Sequence, residues 1–394
     1  MSFLDSPRQS PWRRALFQFH LWAGLGIGLY FLLIGLSGSV IVYKKELERL
    51  ALPRLVQVAP GGSAASFQQM YDAVRYAYPD ASITNAYLYP PGYSWSFRLS
   101  RQHERIQVYV DPSSATVLGH DSYRDKFLQW VYEFHVNLLA GPTGVLLNGI
   151  GGLLLALVSI SGAVVWWPGR RHWRNGVRYA FGAGWKRQNY DLHKWSGFLS
   201  AALLILLGVT GAYWTWPRHF EAALAWLTDG PARTTAPRLA AKTPPVWANL
   251  DTVLGNARRA LPEGEPTLFR FASRADDVHS LKRVMPADWR TQGEDTVYLH
   301  PATGTVVHRD FHSQQPLGVR LQRDIYSLHF GTFAGHLSRA LWVLVGLAPA
   351  VLFVSGLLMY WNRVLLKRTK RWNQRLARPL VLETSEQVLR RISR

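Results

Sequence analysis

"FHLWAGLGIG" (19–28) places a histidine, His20, at the threshold of an uncharged apolar run that continues to Tyr43. "LHKWSGFLSA" (192–201) repeats the device with His193. Crossing a bilayer takes about 20 apolar residues, and four uncharged stretches reach that length: 21–43, 136–169, 195–217 and 340–362. Tyr43, Trp166, Trp167, Trp214, Trp216, Tyr360 and Trp361 crowd their ends, as interfacial aromatic belts do. The sequence is that of a polytopic membrane protein.

Its 394 residues carry a formal charge of +20. The placement of that charge is a topology signal. The loop after the second span holds Arg170, Arg171, Arg174, Arg178, Lys186 and Arg187 and no acid. The tail from Arg363 has ten basic residues against two Glu. The two long segments between spans are nearly balanced, ten basic to nine acidic over 44–133 and fifteen to twelve over 218–339. Basic flanks stay in the cytoplasm, so both termini and the short loop are expected inside and both long segments outside. Basic patches that hug the spans are not a nucleic-acid surface, and no nucleic-acid partner is expected. The first span is too long for a signal peptide and lacks a small-residue cleavage site, so it reads as an uncleaved anchor.

The chain contains one unit written twice. At an offset of 173, His20 falls on His193, Trp22 on Trp195, Gly24 on Gly197, Gly35 on Gly208 and Gly38 on Gly211. At an offset of 194, His135 falls on His329, Gly141 on Gly335, Ser161–Gly162 on Ser355–Gly356 and Trp167 on Trp361. "VYVDPSSATVLGHD" (108–121) pairs with "VYLHPATGTVVHRD" (297–310). Each external segment reads as a short amphipathic helix stopped by proline ("FQQMYDAVRYAYP", "LDTVLGNARRALP") and then alternating strands. The second opens on an irregular linker, "DGPARTTAPRLAAKTPP". The expected fold is an α-helical membrane protein with four transmembrane helices, two span–domain–span units, plus two small external α+β domains. Its parts are a cytoplasmic N-terminus with the first span (1–43), an external domain (44–133), a second span (134–168) and a basic loop (169–190). A third span (191–217), a second external domain (218–325), a fourth span (326–362) and a basic tail (363–394) follow.

Retained histidines imply use or a shared packing role. Spans one and three both run outward, so His20 and His193 sit at the same depth near the cytoplasmic face. Gly24, Gly35 and Gly38 lie within about 60° of His20 on a helix, and span three repeats the stripe. Such small residues serve plain helix–helix contact; joined to a histidine pair, they read as clearance for a flat haem. His135 and His329 form the second pair, at the outer ends of spans two and four. "GPTG" (141–144) marks a possible helix break at Pro142. His336, one heptad beyond His329, is the rival outer ligand, although its counterpart is Pro142. Two neutral imidazoles on one iron suit electron transfer, because no coordination position stays open. With no cysteine in the chain, disulfides, thiolate metal sites and a C-x-x-C-H haem attachment are excluded. Two non-covalent haems, of the b type, are therefore expected.

His103, His120, His172, His219, His279, His300, His308 and His312 read as solvated residues, with His300 and His308 a weak metal pair at most. "AYLYPPGYSWSF" (86–97) lines either a strand core or an external substrate surface. No P-loop, no G-x-G-x-x-G after a strand, no G-x-S-x-G and no H-E-x-x-H appears. Electrons must then come from a quinol or another membrane donor, and hydrolysis is not expected.

The helix-and-strand segments ending in "VYVDPSSATVLG" resemble the PepSY domain. The layout of histidine-bearing spans around two of them resembles the PepSY-associated transmembrane family of bacterial inner membranes, over nearly the full length up to about residue 365. That family includes siderophore-iron reductases of the FoxB type. The resemblance implies reduction of a ferric siderophore on the periplasmic side to release ferrous iron. Two other readings stay open: a non-enzymatic PepSY module for protease inhibition or signalling, and an iron or copper transporter. Charged residues are absent from mid-span, where ion pathways show.

Overall fold

The structure, a computed structural model, describes residues 12–59, 65–101, 104–122, 127–240, 246–285, 288–290 and 293–369. His103, the first eleven residues and the tail from residue 370 lie outside the described residues.

The first half runs through α1 (Trp12–Ile41), α2 (Lys44–Ala51), α3 (Pro53–Val56) and α4 (Phe67–Ala77). Strands β1 (Ser82–Tyr87), β2 (Trp95–Arg101), β3 (Glu104–Val110) and β4 (Val117–Ser122) follow, then α5 (Phe127–Asn137) and α6 (Gly141–Trp166). A short α7 (Trp173–Val177) leads to α8 (Trp185–Tyr213), α9 (Pro217–Thr228) and α10 (Leu250–Ala260). The second half then has β5 (Glu265–Arg270), β6 (His279–Val284), β7 (Asp295–Leu299) and β8 (Val306–Asp310), followed by α11 (Leu317–Phe330) and α12 (Gly335–Tyr360). Helices α1, α6, α8 and α12, the last continuing to Thr369, are long and apolar enough to cross a membrane. The chain is a multi-pass membrane protein.

The two segments between the spans, 44–133 and 218–325, are not the separate domains expected, and that expectation is corrected here. Their strands form one antiparallel sheet in the order β4-β3-β2-β1-β5-β6-β7-β8. The join is β1 against β5, with Asn85 opposite Arg270, Ala86 opposite Phe269 and Tyr87 opposite Leu268. Two four-stranded sheets would each present an open edge there, and pairing those edges satisfies both rows of backbone groups. The cores merge as well. α4 and α10 cover one face, and Phe67, Phe97, Phe269 and Phe271 stack across the join within one apolar cluster. The two helices cap each other: Phe67 N–H donates to Asp251 Oδ1 at 2.7 Å, and Leu250 N–H donates to Gln68 Oε1 at 3.0 Å. Orphan N–H groups of one helix are thus satisfied by the other.

Two histidines expected in solvent are in fact interior. His279 is fully buried among Trp247, Phe269 and Phe271. His312 is buried beside Arg290, whose Nη1 donates to His312 Nε2 at 2.6 Å. His279 lies at the start of β6, where strand alternation turns it inward with Leu281. The run 86–97 is divided: Ala86, Leu88 and Phe97 are core, whereas Tyr89 and Tyr93 flank the Arg49 guanidinium.

By compactness the chain divides into two units. One comprises Met1–Tyr30, Ser161–Ala201 and Ala348–Arg394; the other comprises Phe31–Ile160 and Ala202–Leu347 and contains the sheet.

Candidate functional site

Each unit contains one of the expected histidine pairs. In the first unit, His20 on α1 and His193 on α8 have ring centroids 6.4 Å apart, at an interplanar angle of 83°. In the second, His135 on α5 and His329 on α11 also stand 6.4 Å apart, at 54°.

All four rings are seated alike, on a hydroxyl residue followed by glycine. His20 Nδ1 lies 3.0 Å from Ser161 Oγ and His193 Nδ1 2.9 Å from Ser355 Oγ. His135 Nδ1 lies 3.1 Å from Ser37 Oγ, and His329 Nδ1 2.9 Å from Thr210 Oγ1. The following glycine receives the ring edge. A Cβ added at Gly162 would stand 2.8 Å from His20 Cε1, and at Gly38 2.9 Å from His135 Cε1. At Gly211 and Gly356 the corresponding distances, to His329 and His193, are 3.3 and 3.4 Å.

Two of these hydroxyls fix the tautomer of their histidine. Ser355 Oγ–H donates to Val351 O at 2.6 Å and Thr210 Oγ1–H donates to Leu206 O at 2.7 Å. With its proton so committed, each oxygen can only accept from Nδ1–H of its histidine. His135 Nδ1 also stands 3.1 Å from Ile34 O, which has no proton to give, so this nitrogen too is the donor. A neutral imidazole protonated at Nδ1 keeps its lone pair on Nε2, the form that ligates a metal, and the hydrogen bond from the other nitrogen orients such a ligand.

Separation agrees with that chemistry. A metal–imidazole bond of about 2.0 Å and roughly 1.1 Å from nitrogen to ring centre, counted on both sides, put the centroids about 6.2 Å apart. Among the described residues no group of three or more His, Cys, Asp or Glu is placed to hold a bare metal ion. Two histidine nitrogens would suit an iron already held in a macrocycle. The residues present therefore fit haem.

Positioning differs between the pairs. His20 and His193 ride on unbroken helices. His135 and His329 sit at the ends of α5 and α11, just before the chain breaks and re-enters as α6 and α12. Leu138 and Leu139 adopt φ of 53° and 58°, and Asn148 Nδ2 donates to the His135 carbonyl at 2.6 Å, satisfying a carbonyl that the break would orphan. In the second half Gly331, at φ 66°, makes the turn, and Ser338 Oγ–H donates to its carbonyl at 2.6 Å. The break thus precedes Pro142, which lies inside the first turn of α6. Trp214 stands edge-on to His329, centroids 5.0 Å apart.

His336 does not join the outer pair. It is exposed and stacks on Tyr43, centroids 6.0 Å apart. The glycine stripe also divides. Gly38 and Gly211 seat histidines from neighbouring helices, Gly208 packs on the Gly152 backbone, and Gly24 faces open space. Sequence reasoning missed the hydroxyl members of the seats, Ser37 and Thr210. The available signal was the Ser/Thr–Gly dipeptide, present at 37–38, 161–162, 210–211 and 355–356. His300 Nδ1 accepts from Ala302 N–H and His308 stacks on Tyr298, a local role for each.

Among curated proteins none matches the chain. The family model described as PepSY-associated TM region matches residues 17–363, which include all four seated histidines and the whole sheet. The chain belongs to the family of the PepSY-associated TM region.

Proposed function

We propose that this protein is an electron carrier of a bacterial inner membrane. It holds one b-type haem between His20 and His193 and a second between His135 and His329, and reduces ferric siderophores on the periplasmic side. The observation that carries this reading is the pair of 6.4 Å separations, with His193, His135 and His329 held as Nδ1 donors. Haem iron with two imidazole ligands supplies one-electron transfer with no position open to oxygen.

The chain's own residues do the rest. Ser161, Ser355, Ser37 and Thr210 seat the four rings at Nδ1, and in His193, His135 and His329 that nitrogen is the donor. Gly162, Gly356, Gly38 and Gly211 let the rings sit against neighbouring helices. α5 and α11 follow the last strand of each half of the sheet, so His135 and His329 are joined directly to the segments proposed to be periplasmic. A bulky polar ferric complex cannot enter hydrocarbon, so it must be met at that outer pair. Ferrous iron is held less tightly than ferric by hard oxygen ligands, and one electron releases it without cutting a bond in the carrier. A quinol or another membrane protein supplies the electron.

The test is reoxidation. Chemically reduced protein, given a ferric siderophore from the sheet side, should reoxidise while a chelator traps ferrous iron. His135→Ala and His329→Ala should abolish this and keep the inner haem. Reduced, haem-loaded protein that stays reduced across a broad panel of ferric siderophores contradicts the reductase reading.

A further inference from the structure

Helix α9 begins four residues after α8 ends and turns its apolar side chains outward. Trp226 is 82% exposed and Leu227 69%, and Ala222 and Ala223 share that face. Its opposite side is already used: Phe220 packs on Tyr213, and Glu221 Oε1 accepts from the Tyr213 hydroxyl at 3.4 Å. α2 has the same place after α1 and is more charged (Lys44, Lys45, Glu46, Glu48 and Arg49), with Leu50 77% and Leu47 37% exposed among those charges. Large apolar side chains left outward in water mark a contact surface.

We infer that α2 and α9 lie in the headgroup–acyl boundary of the bilayer that the spans cross, and so seat the base of the sheet on the membrane. Two observations select lipid as the occupant. Each helix follows a membrane span after a turn of only two or three residues, which holds it close to the end of that span. A short helix with Trp and Leu on one face, or Leu beside Lys and Arg, is the composition that beds about 5–10 Å into the interface. α4 provides the contrast: its Tyr76 is 91% exposed on the far side of the sheet core.

The absence of cysteine makes the test clean. Trp226→Cys, Leu227→Cys, Leu50→Cys and Tyr76→Cys each carry one nitroxide label in full-length protein reconstituted into phosphatidylethanolamine–phosphatidylglycerol vesicles. The ratio of oxygen to nickel-chelate collision rates reads lipid exposure. It should be several-fold higher at 226, 227 and 50 than at 76, with labels that remain mobile. Two results overturn the inference. One is a nickel accessibility at 226 and 227 equal to that at 76. The other is immobile labels with spin–spin broadening, which would mean that a second copy covers the face. Folding of each variant is checked by its unfolding transition, and the readout does not depend on haem.

Discussion

The helices and the sheet both bury histidine, and they do so in opposite ways. In the helices Nδ1 is a donor to a serine or threonine hydroxyl, which leaves the Nε2 lone pair for a metal. In the sheet His279 Nδ1 accepts from Ala272 N–H at 3.0 Å, so its proton is on Nε2, a buried atom that finds no hydrogen-bond partner among the described residues. Its ring stands at 90° to that of Trp247, centroids 4.8 Å apart. The first arrangement suits a metal ligand, and the second fills a core. Burial alone does not separate them; the partner of Nδ1 does.

The largest effect should come from the ligands. His20→Ala and His193→Ala should each remove the same half of the haem absorbance and spare the half that depends on His135 and His329. His279→Gln should remove none. Loss of haem from His279→Gln, or different components lost from His20→Ala and His193→Ala, would break the contrast.

A second effect tests the seats. An alanine methyl at Gly162 falls inside contact distance of His20, whereas at Gly356 it meets His193 at an ordinary 3.4 Å. Gly162→Ala should therefore displace its ring and weaken haem retention strongly, and Gly356→Ala should be nearly silent. Equal retention in the two variants, measured by titrating apo protein with haemin, would count against the seat.

The sheet histidine should appear in the pH dependence of stability instead. Burial among aromatic rings lowers His279 from its usual 6.5 to about 4. Between those values the unfolded chain binds a proton that the folded sheet refuses, so stability falls as pH drops through that window and is constant above it. The full effect is about 3 kcal/mol, readable as a falling midpoint of tryptophan-monitored unfolding. His279→Gln should flatten the profile, and an unchanged slope would show that another group carries it.

The smallest effect belongs to the hydroxyls. Ser355→Ala removes the acceptor that orients His193, and loss of such an outer partner weakens metal binding about 10–100-fold. Ser355→Thr should restore it. Serine to alanine at Ser196, whose hydroxyl bonds only its own helix, should not matter.

Much of this was legible in the amino acids. Spans, the histidine pairs and the helix-then-strand order of the segments between spans all follow from local pattern, because bilayer length and strand alternation act on neighbouring residues. The single sheet was not legible: β1 pairs with β5 across more than 170 residues, and no local signal marks which edges meet. The seats were half visible. Ser161–Gly162 and Ser355–Gly356 stood out as matching pairs, but Ser37 and Thr210 are different residue types, and only the fold shows that they serve one purpose. Likewise, His279 and His135 look alike in sequence because a tautomer is set by a distant partner.

The most direct measurement is the haem content of the purified full-length protein, read together with its spectrum. Two non-covalent haems per chain are expected, each six-coordinate and low-spin, with one lost in each of the His193→Ala and His329→Ala variants. A folded protein that is colourless as purified and takes up no haem when titrated with haemin would contradict the account.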